Sequence, residues 1–192
     1  MKEIIHFIDI NRTSEDNVKQ WFFNNNKRSS YSSTVFPYEI IRSFKREVFY
    51  FTVVRNPYSR LVSQFLHSKD ILKIFKDDVD FSTYIKNLRK PSVYCKSDKL
   101  KDYPVKFHFS CSDWLGDYQK NVEIFQYEYL GILEGFFNFY YGMEKNLERD
   151  NDTPDDRYYF NYYDQETLEI VNTIMAKDFH NFDYEMVETI HR

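Results

Sequence analysis

Arg55 closes an aromatic and β-branched run, Phe49-Tyr50-Phe51-Thr52-Val53-Val54, and is followed at once by Asn56 and Pro57. The run reads as a buried strand, and Asn56 and Pro57 read as a helix cap and a first-turn proline. An arginine at the C-terminal edge of a strand would then meet a helix N-terminus, whose N–H groups and dipole favour negative charge. That pairing suits an anion, and phosphate is the usual occupant. An arginine that only satisfies strand-end carbonyls would leave the same signature, so on these residues alone both readings stay open. Further along, Ser63 and His67 fall on one face of the following helix. His67 titrates near neutrality and is a candidate base. His6 and Asp9 lie on the first strand, where hydrogen-bonded burial is the expected role.

Such groups need a sheet to hold them. Ile4–Ile10 is a short apolar run suited to a buried parallel strand. Residues 14–24 read as a helix with Ser14 as its cap and Val18, Trp21 and Phe22 as its apolar face. A helix is expected over 37–45, a strand over 48–54 and a helix over 57–67. Residues 68–100 are charged, with helical patches such as FSTYIKNLR, and suit a lid or an acceptor-side insert. Val122–Gln126 reads as a strand, 129–141 as a helix rich in Leu and Phe, and 145–157 as a polar loop. Leu168, Val171, Ile174 and Met175 have helical spacing within 164–178. Strands alternating with helices imply right-handed crossovers and a parallel sheet covered on both faces, an α/β three-layer architecture.

At 192 residues the chain suits one domain, residues 1–192, with no repeat or linker to divide it. Its 19 Phe and 17 Tyr against 4 Gly point to an aromatic core, although a nucleotide-stacking surface would have the same composition. A net charge of −4 argues against a general nucleic-acid binder. Cys95 and Cys111 make neither a disulfide framework nor a metal site, and no His/Cys/Asp cluster has metal-ligand spacing. No run approaches a membrane span, and the N-terminal MKEIIHFIDINR is too short and acidic for a secretory signal.

The string Arg55-Asn56-Pro57-Tyr58-Ser59-Arg60-Leu61-Val62-Ser63 after that strand resembles the 3′-phosphate-binding motif of sulfotransferases. These are the enzymes that use 3′-phosphoadenosine 5′-phosphosulfate (PAPS), and the string is similar to the form found in their carbohydrate branch. The resemblance implies that Arg55 and Ser63 hold the 3′-phosphate, on a P-loop-NTPase-like sulfotransferase fold. In such a fold phosphates bind at the loop after the first strand, here Ile10-Asn11-Arg12-Thr13-Ser14-Glu15-Asp16-Asn17. The resembled families carry I-P-K-T-G-G-T-S there. Arg12 stands for the lysine, Thr13 matches, Ser14-Glu15 replace the glycines, and Asp16-Asn17 replace Thr-Ser. By resemblance Arg12, Thr13, Ser14, Asp16 and Asn17 surround the 5′-phosphosulfate. Arg12 keeps a permanent charge but not the lysine's geometry, and loss of both glycines restricts close backbone approach.

Weaker matches follow in order. They are FHFSCSDWL from Phe107, IFQYEYL from Ile124, Asn151-Asp152-Thr153 with Arg157-Tyr158 and Tyr162-Tyr163, and a closing helix that ends Phe182-Asp183-Tyr184-Glu185. Trp114 and Leu115 are expected to pack, whereas Thr153 and Arg157 would lie near the nucleotide. The implied reaction is transfer of a sulfuryl group from PAPS, leaving PAP, to a hydroxyl or amine of a saccharide or small acceptor, without a metal. Arg12 would face the leaving phosphate, and Glu39, then His67, are the candidate bases, since the family's usual histidine position falls near Thr34. The absence of an anchor fits a cytoplasmic relative, bacterial or viral. The rewritten loop leaves open a catalytically inactive protein that binds a 3′-phosphonucleotide or a partner. A P-loop-like kinase is a third reading, and the missing G-x-x-x-x-G-K-[ST] argues against it.

Overall fold

The computed structural model describes residues 4–10, 16–25, 29–32, 48–96, 109–144, 146–147 and 156–190. In chain order the elements are β1 (Ile4–Ile8), α1 (Asp16–Asn25), β2 (Ser29–Ser32), β3 (Val48–Val54), α2 (Pro57–Leu66), α3 (Phe81–Lys86) and α4 (Pro91–Tyr94). They continue with α5 (Cys111–Leu115), β4 (Glu123–Gln126), α6 (Leu130–Tyr141), α7 (Gln165–Ile174) and α8 (Ala176–Asn181). A π-helical turn spans His67–Ile71, and 3-10 turns span Gly116–Asn121, Tyr127–Tyr129 and Asp156–Tyr162. The α/β class and the parallel sheet agree with the sequence reading.

The chain divides into two compact units, Met1–Asn56 with Cys111–Asn151, and Pro57–Ser110 with Asp152–Arg192. The first unit holds a four-stranded sheet in the order β2-β1-β3-β4, parallel throughout. β3 is buried along nearly its whole length, as suits an inner parallel strand whose side chains, Thr52 apart, are apolar or aromatic. Phe51 points to the face covered by α1 and α6, where its ring lies 4.9 Å from Phe7, 5.0 Å from Phe22 and 4.7 Å from Phe137. On the other face Thr52 Oγ1 donates a 2.6 Å hydrogen bond to the Ile8 carbonyl, tying β3 to the end of β1. The aromatic load is therefore core filling in this unit.

The second unit is built around α2. Tyr58, Leu61, Val62 and Phe65 pack with Phe75, Tyr84, Tyr94 and Leu168, among others. Residues expected to form a lid or insert, from Ile74 to Cys95, instead supply much of this core. Tyr58 shows why tyrosine serves where phenylalanine would not. Its hydroxyl donates to Asn172 Oδ1 and accepts from the Val187 N–H at 3.0 Å, pinning the closing segment to α2. α7 opens with a capping box, in which Asp164 Oδ1 accepts from the Thr167 N–H at 2.8 Å and Thr167 Oγ1 accepts from the Asp164 N–H at 2.9 Å. The expected helix over 164–178 breaks at Met175 into α7 and α8.

β2 was not foreseen. Its sequence, Ser-Ser-Tyr-Ser, lacks a hydrophobic period, and its place at the edge of the sheet relieves it of needing one. The helix expected over 37–45 lies outside the described residues.

Candidate functional site

The elements around Arg55 form as their residues dictate. β3 ends at Val54, and Arg55 follows it at the C-terminal edge of the sheet with only 3% exposure. Its guanidinium carbon sits 4.4 Å above the centre of the Tyr127 ring, in cation–π geometry. Tyr127 opens the 3-10 turn after β4, and β4 pairs with the last residues of β3, so strand pairing brings ring and guanidinium together. From the same turn, Glu128 Oε1 accepts the Asn56 N–H at 2.8 Å. A carboxylate and an aromatic ring thus fix the short segment on which Arg55 is carried. The sequence already had Tyr127 and Glu128 as matched positions without a role.

The chain passes from the first unit to the second between Asn56 and Pro57, and α2 begins at Pro57 as expected. Ser63 is buried on α2. His67 is half-buried and opens the π-helical turn, where the Leu72 N–H donates to the His67 carbonyl at 2.9 Å. Turns of this kind are frequent at functional positions.

Arg60, the second arginine of the motif, has a different assignment. It is 1% exposed, its Nη2 donates to the Phe109 carbonyl at 3.0 Å, and its Nη1 lies 3.8 Å from Asp178 Oδ2, itself 1% exposed. Arg60 is thus a structural counter-charge inside the second unit. One turn on, Gln64 is buried with neither amide atom hydrogen-bonded among the described residues.

Asp16 is the first residue of α1, and Asn17 follows it, half-buried, with its side chain lining a cavity beside the helix. Arg157 lies in the 3-10 turn Asp156–Tyr162. Arg12, Thr13, Ser14, Glu39 and Thr153 lie outside the described residues. His6 is buried on β1 with its ring centre 5.5 Å from that of Tyr50, and desolvation pushes its pKa down to about 4. A neutral, packed histidine is the result. Trp114 and Leu115 pack as expected, and both cysteines are buried. Among the described residues no group of three or more His, Cys, Asp or Glu is placed to hold a metal ion, and no helix is long and apolar enough to cross a membrane.

A parallel α/β sheet with a buried arginine at its C-terminal edge is the place where open sheets of this class take their ligands. The chain matches the model of the sulfotransferase family over residues 4–185 and belongs to that family. Sulfotransfer is the activity this membership supports. No curated protein matches the chain.

Proposed function

We propose that this sulfotransferase takes its sulfuryl group from PAPS and delivers it to a hydroxyl or amine of a saccharide or other small acceptor. The observation that carries the reading is Arg55, a buried arginine at the carboxyl edge of the sheet within the sequence R-x-P-x-x-R-x-x-S. When bound, PAPS supplies an activated sulfate on a phosphate leaving group. The chain's own part is positioning and charge. Arg55 neutralises the 3′-phosphate, with Tyr127 beneath its guanidinium and Glu128 holding the next peptide N–H. Ser63, in the same motif, gives that phosphate a hydroxyl donor. Arg12, Thr13, Ser14, Asp16 and Asn17 surround the 5′ end, with Arg12 as its permanent charge. Thr153 and Arg157 line the nucleotide, and Glu39, or failing it His67, takes the acceptor's proton.

A second reading rests on the loop Ile10–Asn17, where Ser14-Glu15 replace two glycines. There the protein binds a 3′-phosphonucleotide without turnover. Calorimetry with adenosine 3′,5′-bisphosphate and with ATP tests both readings. The bisphosphate binds, ATP does not, and Arg55→Ala weakens the bisphosphate by about ten- to hundredfold, the value of one hydrogen bond to a charged group. Absence of bisphosphate binding to the wild type overturns both readings. Transfer of radiolabelled sulfate from PAPS into a glycan panel then separates an active enzyme from an inactive one.

A further inference from the structure

Within the first unit, α6 turns an uncharged face to solvent. Leu130, Leu133 and Phe137 are buried and pack it onto the sheet. On its outer side Ile132, Phe139 and Tyr140 are 66%, 81% and 55% exposed, and Tyr129, just before the helix, is 59% exposed. Ile132 and Phe139 are seven residues apart, two turns along one face, and Tyr129 and Phe136 fall beside them at helical spacing. The rings adjoin. Those of Phe136 and Tyr140 have centres 4.8 Å apart, and those of Phe139 and Tyr140 4.9 Å. Gly131, Gly135 and Asn138 complete the exposed side. Glu134, the one charged residue of α6, accepts the Leu147 N–H at 3.0 Å.

The chemistry of this face selects its partner. Its four exposed apolar side chains leave roughly 500 Å² in water, toward the upper end of what one patch on a monomer shows. Two copies would cover about 1,000 Å² from these residues alone, the floor for a stable interface. A bilayer surface is the poorer match. Helices that lie in a membrane interface carry Lys and Arg on their polar side. α6 has neither, in a chain of net charge −4. The face is also its own complement. Phe139 projects, whereas Gly135 presents bare backbone, where an added Cβ would meet nothing within 4 Å. A two-fold axis crossing α6 at Gly135 runs the two helices antiparallel. Phe139, four residues or about 6 Å further along, then falls over the partner's Gly131. By symmetry the same contact forms twice.

We propose that the protein forms a closed two-fold dimer in which the outer faces of α6 from two copies pack antiparallel about Gly135. The dimer stands whether or not the donor is PAPS. Sedimentation velocity of the full chain across the micromolar range should show one step, from monomer to dimer. Phe139→Asp puts a charge into the contact and weakens dimerisation by about thirtyfold or more, the value of one anchor residue. Gly135→Gln fills the crossing point with the same effect, and it favours the helix, so the test survives if Phe139→Asp fails to fold. Far-ultraviolet circular dichroism checks the fold of each. Oxidised Gly135→Cys should give a covalent dimer, since the axis brings the two copies of this position together and both native cysteines are buried. A wild type that stays monomeric throughout the range overturns the proposal, as does a dimer that Phe139→Asp and Gly135→Gln both leave unchanged. Open-ended assembly beyond the dimer overturns it too, because a two-fold contact closes. Flotation of a monomeric chain with phosphatidylcholine vesicles would assign the face to a lipid surface and overturns it as well.

Discussion

Arg55 and Arg60 stand five residues apart in one motif, and the resemblance gives a role only to Arg55. Replacing Arg60 with methionine separates structure from function. The guanidinium Nη1 lies 3.8 Å from Asp178 Oδ2, with both side chains 1% exposed. At an effective dielectric of about 20, two unit charges at that distance attract by roughly 4 kcal/mol. The substitution also removes the 3.0 Å bond to the Phe109 carbonyl, and a hydrogen bond to a charged group contributes about 1.5–3 kcal/mol. Part of this sum is offset because the guanidinium no longer has to leave water. The expected net loss is about 3–5 kcal/mol, that of breaking a buried pair by removing one partner. The assay is urea unfolding followed by far-ultraviolet circular dichroism. Arg60→Met/Asp178→Leu should recover most of the loss, because removing both charges also removes the burial penalty. A loss below about 1 kcal/mol for Arg60→Met, or a double variant worse than the single, would show that Arg60 is not the counter-charge of Asp178.

Four further outcomes follow from the same geometry. Burial holds the His6 pKa near 4 against an ordinary 6.5, so its neutral form is favoured in the folded state. Stability is complete above the unfolded value and falls as pH drops through 6.5 toward 4, by about 2 kcal/mol at pH 5. Chemical unfolding at several pH values should lose this component in His6→Gln, and an identical pH profile in the variant would refute it. Asp164→Ala removes the α7 cap and costs about 0.5–2 kcal/mol. The Thr167 N–H holds the Asp164 carboxyl below its ordinary pKa, so this contribution is present above the unfolded carboxyl value and disappears as pH falls through the lowered one. Thermal melts of wild type and Asp164→Ala should therefore converge in acid. Gln64→Leu removes a buried amide that has no partner among the described residues and should raise the urea midpoint, and a lower midpoint would mean that the amide is bonded. Glu128→Ala, which takes the acceptor from the Asn56 N–H, should weaken bisphosphate binding measured by calorimetry, while Glu128→Gln, which keeps an acceptor, retains most of it.

Much of this was legible along the chain because it depends on neighbours in sequence. Strand β3, the helix starting at Pro57 and the arginine between them follow from side-chain branching, a cap and a proline, all local effects. β2 was not legible, since an edge strand of Ser-Ser-Tyr-Ser is set by pairing with β1 and not by its own pattern. The residues after His67 read as a charged insert because their periodicity is mixed. They form a core because α2 offers them an apolar face.

The sequence by itself determined strand β3, the helix that follows it and the family motif, because each is written in consecutive residues. Only the tertiary structure decided what the two arginines of that motif do. Arg55 rests on Tyr127 at the sheet edge, and Arg60 is neutralised by Asp178, a residue 118 positions away in sequence. Charge balance and packing depend on contacts between residues far apart in the chain, and those contacts exist only once the sheet and helices have assembled.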